Sequence, residues 1–171
     1  LVDFWTFGCI NCRNALPYVR EWHRKYKDQG LVVIGQDCWE NDESLVGPFI
    51  EKMGEKMTYR VALDDHQDSK KGWMATTWME AAGQNGIPSA FLVDKKGTVA
   101  WVGHPMQLKE DVIEAVLKGT HDIEKAKAAF LASVKEAEEW RAAQIPRNEV
   151  LVALRKKDWA TAEAKLAAAE P

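Results

Sequence analysis

Two cysteines three positions apart are the first feature of this chain with chemical content. Cys9-Ile10-Asn11-Cys12 follows the apolar run Leu1-Val2-Asp3-Phe4-Trp5 and precedes a stretch with helical spacing. At a strand-to-helix junction, the first cysteine of such a pair sits on the helix N-terminus. Unpaired backbone N–H groups and the helix dipole favour negative charge there. The thiol pKa falls, and the thiolate becomes a nucleophile. The second cysteine lies one turn inward and can close a small disulfide ring with the first. Cys9 would attack a substrate disulfide, and Cys12 would resolve the mixed disulfide. The competing reading is half of a zinc site. Structural zinc takes four ligands, typically from two such pairs. The remaining candidates, Cys38, His23, His66, His104 and His121, show no paired spacing, so redox chemistry is the stronger reading.

The elements that would position this pair follow from hydrophobic spacing. Residues 1–6 read as a buried strand. Residues 9–29 are helical, with Leu16, Val19, Trp22, His23 and Tyr26 recurring at threes and fours. Pro17 should kink this helix, and Gly30 should cap it. Residues 31–35 (Leu-Val-Val-Ile-Gly) form an apolar run suited to a central parallel strand. Residues 41–56 read as a helix, 59–63 as a short strand, and 68–82 as a helix ended by Gly83. Residues 89–93 and 98–102, joined by Asp94-Lys95-Lys96-Gly97, carry a strong hairpin signal. Residues 108–118 form an amphipathic helix. Strands alternating with helices and closing in a hairpin imply an α/β fold, a mixed sheet with helices on both faces.

Composition changes after Pro105: Gly nearly vanishes and Ala becomes dense. We divide the chain into residues 1–119, the α/β domain, and residues 120–171, a helical extension. Ile123, Phe130, Val134, Ala137 and Trp140 mark one helix face, and Pro146 is expected to break that helix. Residues 148–156 and 159–169 then read as a helix pair. From residue 147 onward the segment looks like one tetratricopeptide-type unit, which buries a core only by stacking with others.

The 171 residues suit one domain with an appendage, and 46% apolar with 29% charged residues argue against disorder. With 23 Lys and Arg against 26 Asp and Glu, and no long basic cluster, nucleic acid is not an expected partner. No apolar stretch reaches the length of a membrane-spanning helix. The chain opens inside a strand without an initiator Met, so any targeting segment would lie upstream.

Four separated motifs fall in the order of a known family. Val2-Asp3-Phe4-Trp5, then Cys9-x-x-Cys12, then Pro17 resembles the thioredoxin active-site segment. Gly86-Ile87-Pro88-Ser89 before an apolar strand resembles the cis-proline loop, and Gly103 resembles the glycine that faces the site. The longer segment between Gln36 and Ala62 is like the insertion of the extracytoplasmic TlpA/ResA-like branch. The resemblance covers roughly residues 1–119.

It implies a thioredoxin-like mixed β-sheet flanked by helices, and roles for particular residues. Asp3 matches a buried carboxylate that accepts the Cys12 proton through water, with its pKa raised by apolar surroundings. Pro88 would be cis, and Ile87 would offer its backbone to an extended substrate peptide. Glu40 falls near a second active-site acid; a solvated helix-capping acid is the alternative. Cys38 reads as a small buried hydrophobe rather than a third redox partner. Trp73, Trp78 and Trp101 read as packing residues, and His104 as a surface loop histidine. Gly8 stands where the family usually has Trp, and Ile10-Asn11 replaces Gly-Pro between the cysteines, so redox potential cannot be carried across.

The leading expectation is a thiol–disulfide oxidoreductase acting on protein thiols and disulfides, more a reductase than an oxidase. It would need no cofactor beyond the Cys9–Cys12 disulfide. Its electrons would pass to or from a redox partner protein, and the resemblance favours an extracytoplasmic, periplasmic or membrane-tethered place. Two alternatives stay open. One is a protein-binding module with the helical tail recruiting a partner. The other is a Cu(I)-handling protein using Cys9, Cys12 and His104. Peroxidase action is disfavoured because the activating Thr and Arg constellation is not found near Cys9.

Overall fold

The fold comes from a computed structural model, which describes residues 1–67 and 70–168 apart from the side chains of residues 143, 145 and 146. The chain forms two compact units, Leu1–Lys127 and a second beginning at Ala128. The break falls inside a helix rather than at residue 119. Ile123, in that helix's first turn, packs on the core of the first unit and draws the turn with it.

The first unit is built on a five-stranded sheet of order β3-β2-β1-β4-β5. Its strands are β1 (Val2–Trp5), β2 (Ile34–Asp37), β3 (Arg60–Ala62), β4 (Ser89–Val93) and β5 (Val99–Gly103). β1, β2 and β3 are parallel, while β4 runs antiparallel to β1 and β5 antiparallel to β4. β1 is central and buried along its length. Side chains alternate across a strand. Val2 and Phe4 therefore face Cys38, Met79 and Phe91, while Trp5 faces Leu16, Val19, Trp22 and Tyr26. Asp3 shares the Trp5 face by the same alternation, and that is the face covered by the helix carrying Cys12.

That helix, α1, spans Ile10–Tyr26 and continues through Pro17. Gly30 closes the following 3₁₀ turn with φ 101°, a backbone shape open to glycine. Leu31 then donates its N–H to Tyr26 O at 3.1 Å, a Schellman-type closure. This explains why β2 starts later than the apolar run 31–35 suggests. Leu31 and Val33 are buried, but Leu31 is engaged in ending the helix; Leu1 then bonds on either side, its amino group donating to Val32 O at 2.7 Å and its carbonyl accepting the Ile34 N–H at 2.9 Å.

α2 (Val46–Met53) and α3 (Glu110–Lys118) supply Val46, Ile113 and Val116 to the same core. The helix expected over 68–82 is a helical turn leading into a π-helical segment, Ala75–Glu80, on the other face. Asp68 and Ser69 lie outside the described residues. Asp64 anchors this segment: its carboxylate accepts the N–H groups of Met74 and Ala75 at 2.7 and 2.9 Å. Trp78 packs against Phe4 and Phe91, but Trp73 is 50% exposed and is not a packing residue.

Beyond residue 119 the chain is helical. α4 runs unbroken over Ile123–Arg155, contrary to the expected break at Pro146. Proline removes one donor from the ladder, and a helix can continue past it when its neighbours are strong helix formers, as the surrounding Ala, Gln, Arg and Glu are. α5 (Trp159–Ala168) follows a turn with Lys157 at φ 59°, and Asp158 caps it by accepting the Thr161 N–H. No helix among the described residues is long and apolar enough to cross a membrane.

Candidate active site

Cys9 is the N-cap residue of α1, in extended conformation, and its sulfur accepts the Cys12 N–H at 3.1 Å. A disulfide joins it to Cys12, with the two Cα atoms 5.2 Å apart. This is the helix-terminus placement the spacing predicted. No acidic residue lies in the first turn of α1 to oppose a thiolate. The two sulfurs differ in access. Cys9 is half-buried, while Cys12 is 2% exposed within the core. An incoming substrate therefore meets Cys9 first, beside exposed Gly8 and Ile10.

The Ile87–Pro88 peptide bond is cis. The Ile87 carbonyl oxygen lies 3.8 Å from Cys9 Sγ, so this loop borders the sulfur. Pro88 is buried, and Ser89 begins β4 next to Phe4 of β1. Thus β1, the N-terminus of α1 and the loop before β4 converge on the disulfide.

Asp3 is 2% exposed, between Gly35 of β2 and Ala90 of β4. Burial pushes its carboxyl up to about 8, because desolvation penalises the charged form. Its Oδ1 has no protein hydrogen-bond partner among the described residues. A neighbouring buried Tyr59 hydroxyl is pushed up by its own burial and by the Asp3 charge. An acid poised near neutrality on the disulfide's side of the sheet can hold or release a proton at working pH.

Glu40 reaches the active-site loop: its Oε1 accepts the Phe7 N–H at 2.7 Å. Gly103 pairs with Ala90. A Cβ added there would come within 2.9 Å of Trp101 Cζ2, so the indole, not a sulfur, occupies its open side. His104 caps the 3₁₀ turn after β5 through its Nδ1, which accepts the Met106 N–H at 3.3 Å. Cys38 is 1% exposed, and burial with nearby Asp37 and Asp64 pushes its thiol up to about 12, too high for a nucleophile. Among the described residues no three His, Cys, Asp or Glu side chains converge as metal ligands.

One residue was passed over by sequence reasoning. Asp37 ends β2 opposite Trp5, is 1% exposed, and lies against Glu40. Its only sequence signal is an acid at the end of an apolar run, between Gln36 and Cys38, without the apolar flanks that single out Asp3.

Comparisons with known proteins agree with this geometry. The chain is 34% identical over 103 residues to protein DipZ of Mycobacterium tuberculosis, covering 58% of this chain and 13% of DipZ. It is 32% identical over 117 residues to the thiol-disulfide oxidoreductase ResA of Bacillus anthracis, covering 68% of this chain and 60% of ResA. The match thus spans a small part of DipZ and under two thirds of ResA. A thiol-disulfide isomerase from Corynebacterium glutamicum shares the fold, with TM-score 0.55 at 23% identity over 71% of this chain and 79% of that one. A DsbE-type thiol:disulfide interchange protein from Chlorobium tepidum does likewise, with TM-score 0.54 at 23% identity over 68% of this chain and 77% of that one. Residues 1–102 match the AhpC/TSA family, and with its thioredoxin-like sheet and helix-capping cysteine pair the chain belongs to that family.

Proposed function

We propose that the chain is a thiol–disulfide oxidoreductase that exchanges disulfides with protein substrates, and that it works as a reductase. The observation that carries this is the Cys9–Cys12 disulfide at the α1 N-terminus, with Cys9 accessible and Cys12 sealed beneath it. In the reduced protein, the Cys9 thiolate attacks one sulfur of a substrate disulfide and expels the first substrate thiolate. Cys12 then gives its proton to Asp3, and its thiolate attacks the Cys9 sulfur and expels the second substrate thiol. The substrate gains two electrons and the pair is oxidised to the disulfide. A reduced partner protein returns the electrons by the reverse exchange, and no further cofactor enters. Ile87 and Pro88 hold the substrate segment beside Cys9.

The reductase direction is the one in which a proton acceptor at Asp3 speeds the resolving step. The likeness of the segment between Gln36 and Ala62 to the TlpA/ResA-like insertion favours an extracytoplasmic place. The helical unit is a candidate for a protein partner, since Trp140 and Trp159 stand 66% exposed on it.

The test is a redox titration of the full chain in graded thiol buffers, counting free thiols by alkylation mass shift. A reversible two-electron transition at or below about −250 mV is expected. A transition near about −120 mV would reverse the direction, and no Cys9–Cys12 disulfide at any poise would remove the enzymatic reading.

A further inference from the structure

Asp37 is a buried acid that the disulfide exchange leaves unused. Its Oδ1 has no hydrogen-bond partner among the described residues, and it is 1% exposed. A carboxyl in such a place must be neutral or paired. Its neighbour is Glu40, whose carboxyl comes within hydrogen-bonding reach and raises that of Asp37. Two carboxyl groups share a hydrogen bond only through one proton. Glu40 is already committed as an acceptor, with Oε1 on the Phe7 N–H at 2.7 Å. Asp37, 1% exposed and with Oδ1 unpartnered, is the carboxyl of the two that burial keeps neutral, so the shared proton belongs on it.

The backbone is bent to deliver this contact. Cys38 N–H still bonds to Trp5 O at 3.0 Å, so β2 holds its register to that point. The next residue, Trp39, has φ 58°, in the left-handed region that a bulky side chain seldom occupies. Strained backbone of this kind persists where the surroundings over-determine it, and it concentrates at functional sites. Here the turn at Trp39 sends Glu40 back over the segment between β1 and Cys9. That segment has its own turn, with Gly8 N–H on Thr6 Oγ1 at 3.1 Å and Cys9 N–H on Thr6 O at 3.3 Å. The Phe7 amide between them is held from outside, by Glu40.

We propose that Asp37 is a positioning residue for the nucleophile: as a neutral acid it donates to Glu40, locks the Glu40 carboxylate on the Phe7 N–H, and so fixes the loop that presents Cys9. The proposal rests on the reading of Cys9 and Cys12 as the redox pair, but the clasp can be observed without any redox step. The groups that bear on Asp37 are all acidic: Glu40 and Glu43 from the segment after β2, and Asp64 from the loop after β3. Cys38 adds a buried thiol, and His66 is paired with Glu43 at 2.9 Å. Burial and these like charges hold the Asp37 carboxyl above the usual carboxylate range. When it does lose its proton, two anions meet in a buried place, and Glu40 is driven off the Phe7 N–H.

The experiment follows the Phe7 amide by nitrogen-15 NMR in the oxidised full chain between about pH 5 and 9, a window that brackets a raised carboxyl. In parallel, iodoacetamide alkylation of Cys9 is timed across the same range in the reduced chain. In the wild type, the Phe7 amide should stay protected and then lose protection at least tenfold in one alkaline step. The alkylation profile should carry that step in addition to the thiol's own. Asp37→Asn keeps a neutral donor and should abolish the alkaline step in both readouts. Glu40→Ala should leave Phe7 unprotected, at least tenfold, at every pH. The proposal is overturned if Asp37→Asn retains the wild-type step, or if Glu40→Ala keeps Phe7 protection within twofold. Should Asp37→Asn fail to fold, the wild-type titration and Glu40→Ala decide on the same criteria. Failure of the redox reading would show as no Cys9–Cys12 disulfide in any buffer, with the Phe7 results unaffected.

Discussion

The cysteine-bearing unit and the helical unit use the same large side chains in opposite ways. In the first, Phe4, Trp5, Trp22 and Tyr26 are each at most 4% exposed. In the second, Trp140 and Trp159 are each 66% exposed, and the buried residues among those described are Ala153 and Ala162. The first unit is held by pairings between distant segments, such as Val2 with Ile34 and with Phe91. The second is held mainly by hydrogen bonds local to its helices. The lesson is about where chemistry can be placed. A buried acid such as Asp3 and a helix-capping thiol need neighbours fixed on several sides, and only a sheet packed on both faces supplies them here.

The largest expected contrast lies in the two tryptophans. Trp5 is 1% exposed and packs on Phe49, so Trp5→Ala should destabilise the first unit by about 3–5 kcal/mol. Trp159→Ala, on an exposed helix face, should change stability by no more than about 0.5 kcal/mol. Denaturant melts of both variants measure this directly. Equal losses would mean that the helical unit holds its tryptophans in a packed core, and the contrast would collapse.

The acid of the first unit gives the next effect, and it depends on pH. Burial pushes the folded Asp3 carboxyl up to about 8, against an ordinary aspartate value of 3.8 in the unfolded chain. Below the lower value both folded and unfolded states carry the proton, and stability is at its full level. As pH rises between the two values, the unfolded state has lost the proton and the folded state keeps it. Stability therefore falls through this window and levels off above about 8. The limiting slope is about 1.4 kcal/mol per pH unit, and relaxation around the carboxyl should reduce the total to about 2–4 kcal/mol. Asp37, raised in the same direction, adds to the fall. Asp3→Asn should flatten the curve, stabilise the chain at neutral pH, and slow the resolving step by about 10²-fold. Thermal melts from acid to mildly alkaline pH test the first part, and single-turnover reduction of a disulfide peptide the second. An unchanged pH slope would show Asp3 to be solvated, leaving the first unit without its distinguishing acid.

Much of this contrast is legible in the sequence alone. The cysteine spacing, the helix behind it and the strand before it are local patterns, and each reports the contacts of its own face. Asp3 was legible because apolar residues flank it on a strand with no solvent side. The start of β2 was not, because an apolar run reports burial rather than pairing. Leu31 is buried as the closure of a helix end. Pro146 misled in the other direction, since the loss of one donor did not outweigh the helix formers around it. Trp73 misled because bulk suggests a core, and only the third dimension shows its exposed side. The Asp37–Glu40–Phe7 contact was out of reach: it needs the register of Trp5 against Asp37 and a left-handed tryptophan between the two acids. Gly103 reads from the sequence as a glycine facing the site, and the structure sets the Trp101 ring against its open side.

The smallest effect sharpens the contrast from the helical side. Lys165 of α5 bridges Glu149 of α4, and the two side chains are 39% and 49% exposed. An ion pair that keeps this much water recovers little Coulomb energy and loses side-chain freedom, so its net worth is about 0–1 kcal/mol. Glu149→Gln should therefore lower stability by less than about 0.5 kcal/mol, and the difference should vanish by about 0.5 M salt. The buried acids of the first unit should behave otherwise, since their shifts come first from desolvation, which added salt does not screen. A salt-insensitive loss well above 1 kcal/mol for Glu149→Gln would place that pair in a water-excluded contact. The helical unit would then have a built interior of its own, and its exposed tryptophans would no longer set it apart from the unit that carries the cysteines.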